Sequence, residues 1–304
     1  MEKLALAMLQ EQRVKRRWGI FFKLIGFSYL IAVLVLFVDW GGGSEKLVNG
    51  KHTALVHLNG TIASGGDGSA ESINEALRSA FDDKETAGVV LRVNSPGGSP
   101  VQAGIVHDEI RRLRSKHPQI SLYVVVEDLC ASGGYYVAVA ADKIFVDKAS
   151  IVGSIGVLMD GFGFTGTMDK LGVERRLLTA GVNKGFLDPF SPQDAEQKKH
   201  AQVLLGEIHR QFIEVVRKGR GDRLKETPEM FSGLMWTGTQ SIQLGLADDL
   251  GTVESVARDV IKAERIVDFT IKENIAERFA KRLRADAAQG MGSLLGAIAW
   301  PAIR

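Results

Sequence analysis

Twice in this sequence a short β-branched run leads into a serine and a pair of glycines. The run Gly88–Val93 leads into Asn94-Ser95-Pro96-Gly97-Gly98-Ser99, and Ile120–Val126 leads into Ala131-Ser132-Gly133-Gly134-Tyr135-Tyr136. Between them Val101–Lys116 reads as a helix, with Ile105, Ile110 and Leu113 among charges. Two strands that end in glycine turns, with one helix between, demand a succession of strands and helices. The rest of the chain continues it. Ala54–Leu58, Ile144–Val146 and Ile155–Leu158 read as further strands. Gly133–Ala141, Gln193–Arg217 and Val253–Lys262 read as helices. The expected fold class is α/β.

The same turns have chemical meaning. A Pro-Gly-Gly turn brings an unhindered amide close to a ligand. A serine at the start of a helix lies beside free backbone N–H groups. Two such donors suit the developing oxyanion of acyl transfer. A serine nucleophile also needs a base. His52 and His57 fall in the first strand region, and His107 and His117 on the first helix or its end. No histidine lies between Ser132 and His200, and solvent exposure is expected for His200 and His209 on their amphipathic helix. Lysine is the other candidate. Lys184 stands in the turn Gly181-Val182-Asn183-Lys184-Gly185-Phe186, flanked by apolar residues. A lysine serves as a base once desolvation lowers its pKa toward neutrality. On its own, a lysine in such a turn reads first as a solvated loop charge.

The N-terminus carries a different signal. Residues 1–17 are basic, and no residue from Leu24 to Val38 is charged. About 20 apolar residues span a bilayer core. Trp18 and Trp40 bracket the run as interfacial aromatics do, and the basic side belongs in the cytoplasm. A cleaved signal segment is the competing reading. The expected organisation is a leader at 1–17, a single transmembrane anchor at 18–40 and a tether at 41–51. A main domain follows at 52–265, and a helical tail at 266–304. A net charge of +2 over 304 residues gives no global field toward nucleic acid. The single cysteine, Cys130, supports neither an intrachain disulfide nor a cysteine metal cluster.

Taken in order, five landmarks resemble the SppA/SohB family of signal peptide peptidases. They are Asn94–Gly98, Ala131–Tyr136, Val152–Val157, the Lys184 loop, and Trp236-Thr237-Gly238 followed by Gly245–Gly251. That family shares the Clp protease/crotonase fold, a repeated ββα superhelix. The resemblance implies that Ser132 is the nucleophile, Lys184 the general base and Ser154 the residue that orients the lysine. The amides of Gly98 and Gly133 would form the oxyanion hole. Gly98, Ser99, Pro100, Val101, Ile155, Gly156 and Val157 would bind an extended peptide. It further implies no metal or cofactor. The family's short form is a ring-like homo-oligomer whose serine and lysine come from neighbouring subunits. The catalytic domain would lie outside the cytoplasm on an inner-membrane anchor, acting on signal-peptide remnants. Asn183 stands where many relatives carry an aromatic residue. Two other readings stay open: a crotonase-like acyl-CoA enzyme, and an inactive membrane scaffold of the same fold.

Overall fold

The computed structural model describes residues 16–31, 50–66 and 68–271. The chain divides into two units, Met1–Val48 with Lys272–Arg304, and Asn49–Ile271. In the first, residues 16–31 form helix α1, where Trp18 meets Phe21 edge-on at 5.7 Å. Among the described residues no helix is long and apolar enough to cross a membrane. Residues 32–40 of the expected anchor, and most of the leader and tether, lie outside the described residues.

The second unit begins β1 (His52–Asn59), α2 (Ala70–Asp82), β2 (Thr86–Ser95), α3 (Pro100–Lys116), β3 (Ser121–Ala131) and α4 (Gly133–Ala138). It continues β4 (Lys143–Val146), β5 (Ile151–Gly153), α5 (Thr165–Leu171) and α6 (Ala195–Arg220). Last come β6 (Met235–Thr237), α7 (Gly238–Gln243), β7 (Asp249–Leu250), α8 (Val253–Ser255) and β8 (Ile266–Asp268). The strands form one eight-stranded sheet in the order β6-β5-β3-β2-β1-β8, with β4 and β7 branching from β3. Every pairing is parallel except β5 with β6.

Strands buried on both faces need apolar residues at successive positions, which is why Val89, Val90 and Leu91 are all fully buried. Val56, Leu58, Leu91, Val93, Val124 and Val126 join the larger core with α2 and α3. Leu55, Val90, Val125 and Phe145 face the other way, against Val253 and Val256. Helix α2 is capped by Ser69, which accepts from the Ser72 amide, and buries Ile73, Ala76, Leu77, Ala80 and Phe81 at helical spacing.

Three expected elements differ. Ile155–Leu158 is not a strand; the strand here is Ile151–Gly153, paired with Leu129–Ala131. It stops because Ser154 takes φ 50° and the Gly156 amide folds back onto the Ser154 carbonyl at 2.9 Å. The helix expected at Val253–Lys262 begins as α8 and widens into a π-helical stretch, Val256–Ile261. The tail expected from residue 266 opens with strand β8, whose Ile266–Asp268 pair with Thr53–Leu55. Its residues from 272 lie outside the described residues.

Helix α6 is about 39 Å long at 1.5 Å per residue. It buries only Ala201, Phe212, Val216 and Arg220. Its C-terminal end is pinned by Arg220, whose guanidinium forks onto Asp248 with both bonds at 2.9 Å and donates to the Gly245 carbonyl at 2.7 Å. Asp248 also accepts from the Ile144 amide at 2.7 Å. The Gly245–Gly251 landmark is therefore an anchor for α6, which places that helix beside the ends of β3 and β5.

Candidate active site

Parallel neighbours present their C-terminal ends at one edge of a sheet, where α/β proteins bind ligands. The β2–β3 register closes with Ser95 opposite Cys130, so the turn after Ser95 meets the turn after Ala131. Ser95 holds the first turn: its hydroxyl donates to the Gly60 carbonyl at 2.7 Å and accepts from the Gly97 amide at 3.1 Å. Gly97 and Gly98 then take φ 97° and 145°. A Cβ on Gly97 would lie 2.6 Å from the Gly133 nitrogen, and one on Gly98 2.2 Å from the Ile62 carbonyl oxygen. Only glycine fits between these two segments.

That packing aims the Gly98 amide. Gly98 forms a parallel bridge with Ile62. The bridge bonds run from the Ile62 amide to the Gly97 carbonyl and from the Ser99 amide to the Ile62 carbonyl, each 2.8 Å. They use the groups on either side of Gly98, so its own N–H faces away from Ile62. On that side lies Gly133, whose Cβ position would be 3.3 Å from the Gly98 nitrogen. The Gly133 amide opens α4, where no i−4 carbonyl is in reach. Among the described residues neither amide is engaged in a backbone hydrogen bond of the turns.

Ser132 stands between them with φ 51° and ψ −121°, a conformation that costs a non-glycine residue about 1–3 kcal/mol. Its backbone is held on both sides: the amide donates to the Gly153 carbonyl, and its carbonyl accepts from the Tyr136 amide, each at 2.9 Å. The hydroxyl makes no helix-capping bond. The β3–β5 register ends at Ala131 opposite Gly153, so Ser132 and Ser154 follow as neighbours, both with positive φ. Ser154 is fixed by its amide, which donates to the Leu234 carbonyl at 2.7 Å.

These groups open on one cavity of about 570 Å³. Ser132, Gly98, Gly133, Pro100, Ser154, Gly156 and Val157 all line it. Three other expected substrate residues do not. The Ser99 side chain caps α3, Val101 is exposed, and Ile155 is fully buried. Lys184 is placed elsewhere, exposed on a turn closed by its own amide on the Gly181 carbonyl at 3.0 Å. The chain thus gathers Ser132, Ser154, Gly98 and Gly133 but does not bring Lys184 to their cavity.

Residues beyond the sequence expectations complete the walls: Ala103, Tyr136, Ile208, Gln211 and Phe212. Tyr136 packs on Phe212 at 5.1 Å and edge-on against His107 at 5.4 Å. Burial pushes the His107 pKa down, against the raising effect of Asp108, so its ring is held toward the neutral form. Burial drives the Cys130 thiol far up, which removes the one cysteine as a rival nucleophile. His209 is half-buried rather than solvated, and its Nε2 lies 3.2 Å from the Ile155 carbonyl oxygen. The helical spacing of Ile208 and Phe212 is a sequence signal for a buried stripe, but not for a cavity wall.

Residues 114–267 match the profile of Peptidase family S49. Two Brucella proteins named Na(+)/H(+) antiporter NhaA are 46% identical over 209 residues, 67% of this chain and 28% of theirs. The chain thus spans 28% of the length of those relatives. A provisionally named signal peptide peptidase SppA of Enterococcus faecium is 30% identical over 237 residues, 75% of this chain and 68% of that protein. Protease 4 of Haemophilus influenzae is 32% identical over 224 residues, 71% of this chain and 35% of its own length. The chain belongs to peptidase family S49, with relatives of the SppA and SohB type.

Proposed function

We propose that this chain hydrolyses peptides with Ser132 as nucleophile and Lys184 as general base, the two supplied by neighbouring copies in a ring-like assembly. The observation that carries this reading is the strained Ser132, set between the Gly98 and Gly133 amides on one cavity. The neutral Lys184 amine of a neighbour takes the Ser132 proton as Oγ bonds to the peptide carbonyl carbon. The carbonyl oxygen becomes an oxyanion held by the Gly98 and Gly133 amides. The lysine ammonium passes its proton to the departing amine as the C–N bond breaks. A water, deprotonated by the same lysine, then attacks the ester and returns Ser132 to its hydroxyl form. Ser154 orients the lysine.

Extended peptides would enter between the Gly98 turn and the Gly156–Val157 turn, which line the cavity on either side of Ser132. We place the chain on a membrane through residues 18–40, with this domain outside the cytoplasm and signal-peptide remnants as substrates. The basic block and uncharged run of the sequence support that placement. The fold would be the Clp protease/crotonase superhelix. The acyl-CoA reading is less favoured, because a serine that lines the same cavity as Gly98 and Gly133 suits acyl transfer to its hydroxyl.

Peptide hydrolysis by Ser132→Ala and Lys184→Ala proteins, with labelling by a fluorophosphonate, tests the assignment. Both variants should lose turnover, and Ser132→Ala should also lose the label. Normal turnover by Lys184→Ala at any pH rules out the base.

A further inference from the structure

Two separate pieces of chain face each other across the Ser132 cavity. One is the turn after Ser154, with Gly156, Val157 and Leu158; the other is α6, with Ile208, Gln211 and Phe212. The turn is held to the sheet side by the Ser154 amide on the Leu234 carbonyl, and to itself by the Gly156 amide on the Ser154 carbonyl. Its tie to α6 is His209, on the helix between Ile208 and Gln211, with Nε2 3.2 Å from the Ile155 oxygen. A carbonyl oxygen only accepts, so Nε2 carries the proton and donates. Among the described residues this is the one hydrogen bond joining turn and helix. Ile155 itself is fully buried, so its carbonyl is fixed from one side by packing and from the other by the imidazole.

We propose that His209 is a positioning residue for peptide binding: it sets the separation of the two cavity walls beside Ser132. This rests on the peptidase reading above. His209 touches the wall and not the reacting atoms, so its loss falls on substrate binding rather than on the chemical step.

The test measures kcat and KM for an extended peptide with the full chain and its His209→Ala and His209→Gln variants. A small fluorophosphonate that does not span the cleft is run beside it. His209→Ala should raise KM about tenfold, the scale of one lost hydrogen bond, with kcat within about threefold. Glutamine, which offers an amide donor, should bring KM most of the way back. Fluorophosphonate labelling of Ser132 should be unchanged in all three proteins. An unchanged KM in His209→Ala, in a wild type that hydrolyses and labels, overturns the positioning role alone. So does a common fall in kcat and thermal midpoint that glutamine does not rescue. A wild type that neither hydrolyses peptide nor takes the label overturns the peptidase reading and this role with it.

Discussion

The turns at the ends of β2 and β3 and the arm between residues 157 and 194 carry the two halves of the proposed dyad, yet they are built in opposite ways. At the turns, Ala131, Gly133 and Ser95 are buried, and Ser132 is held by bonds from both sides. In the arm, helix α5 buries nothing, and Leu178 and Val182 are 97% and 96% exposed. A strained nucleophile persists only where its surroundings over-determine it. An arm of exposed apolar side chains is the surface on which the proposed assembly would act. The contrast sets the proposed nucleophile inside the fold and the proposed base on an exposed arm.

The largest expected effect breaks the rigid half. Ser132→Gly should lower peptide turnover by about 10⁴-fold or more. Its thermal midpoint should be unchanged or raised, because glycine relieves the φ 51° strain while losing more backbone entropy on folding. Steady-state kinetics with calorimetry reads both. Next comes the anchor that holds α6 against the turns. Arg220 is 1% exposed in its side chain, and Asp248 13%. Burial alone would raise the Asp248 pKa, but the Arg220 hydrogen bonds and charge outweigh it and hold the carboxyl below its usual range. Asp248→Asn should cost about 3–5 kcal/mol in urea unfolding by stranding a buried guanidinium.

A smaller effect lies farther from the site, where α2 and α3 share Glu109. The Arg112 hydrogen bond is the main cause that brings the Glu109 pKa from 4.5 down to about 2; burial opposes it, and Arg78 adds to it. A depressed carboxylate stabilises the fold fully above pH 4.5 and loses that contribution as pH falls from 4.5 toward 2. Both arginines are half exposed, so Glu109→Gln should cost only about 1–2 kcal/mol at neutral pH. Thermal melts across that acid range should be flatter for the variant than for wild type. The smallest effect on the single chain belongs to the arm. Leu178→Ser should change urea stability by less than about 0.5 kcal/mol. If the arm is completed by a neighbour, the same change should weaken assembly in sedimentation runs.

Much of the rigid half was legible in the sequence, and the reasons are local. Gly88–Val93 lies within β2 and Ile120–Val126 overlaps β3, because strands buried on both faces carry unbroken β-branched runs. The glycine turns were legible because no other residue takes their backbone angles beside a second chain segment. The run Ile155–Leu158 has the same apolar look, but the left-handed Ser154 before it turns the chain out of the sheet. No local pattern announces that turn. The end of α6 depends on a partner 28 residues away, Asp248 for Arg220, so the expected end at Arg217 fell three residues short. Lys184 is legible as a candidate from its apolar-flanked turn, but only the resemblance raises it above a solvated loop charge.

Co-assembly of two inactive chains tests the division most directly. Ser132→Ala chains keep Lys184, and Lys184→Ala chains keep Ser132, so a ring that mixes them has sites holding both groups. Random mixing should restore turnover at about a quarter of the sites, while each variant alone stays inactive. Mixed rings, verified by mass, that hydrolyse no peptide would contradict a dyad shared between neighbours.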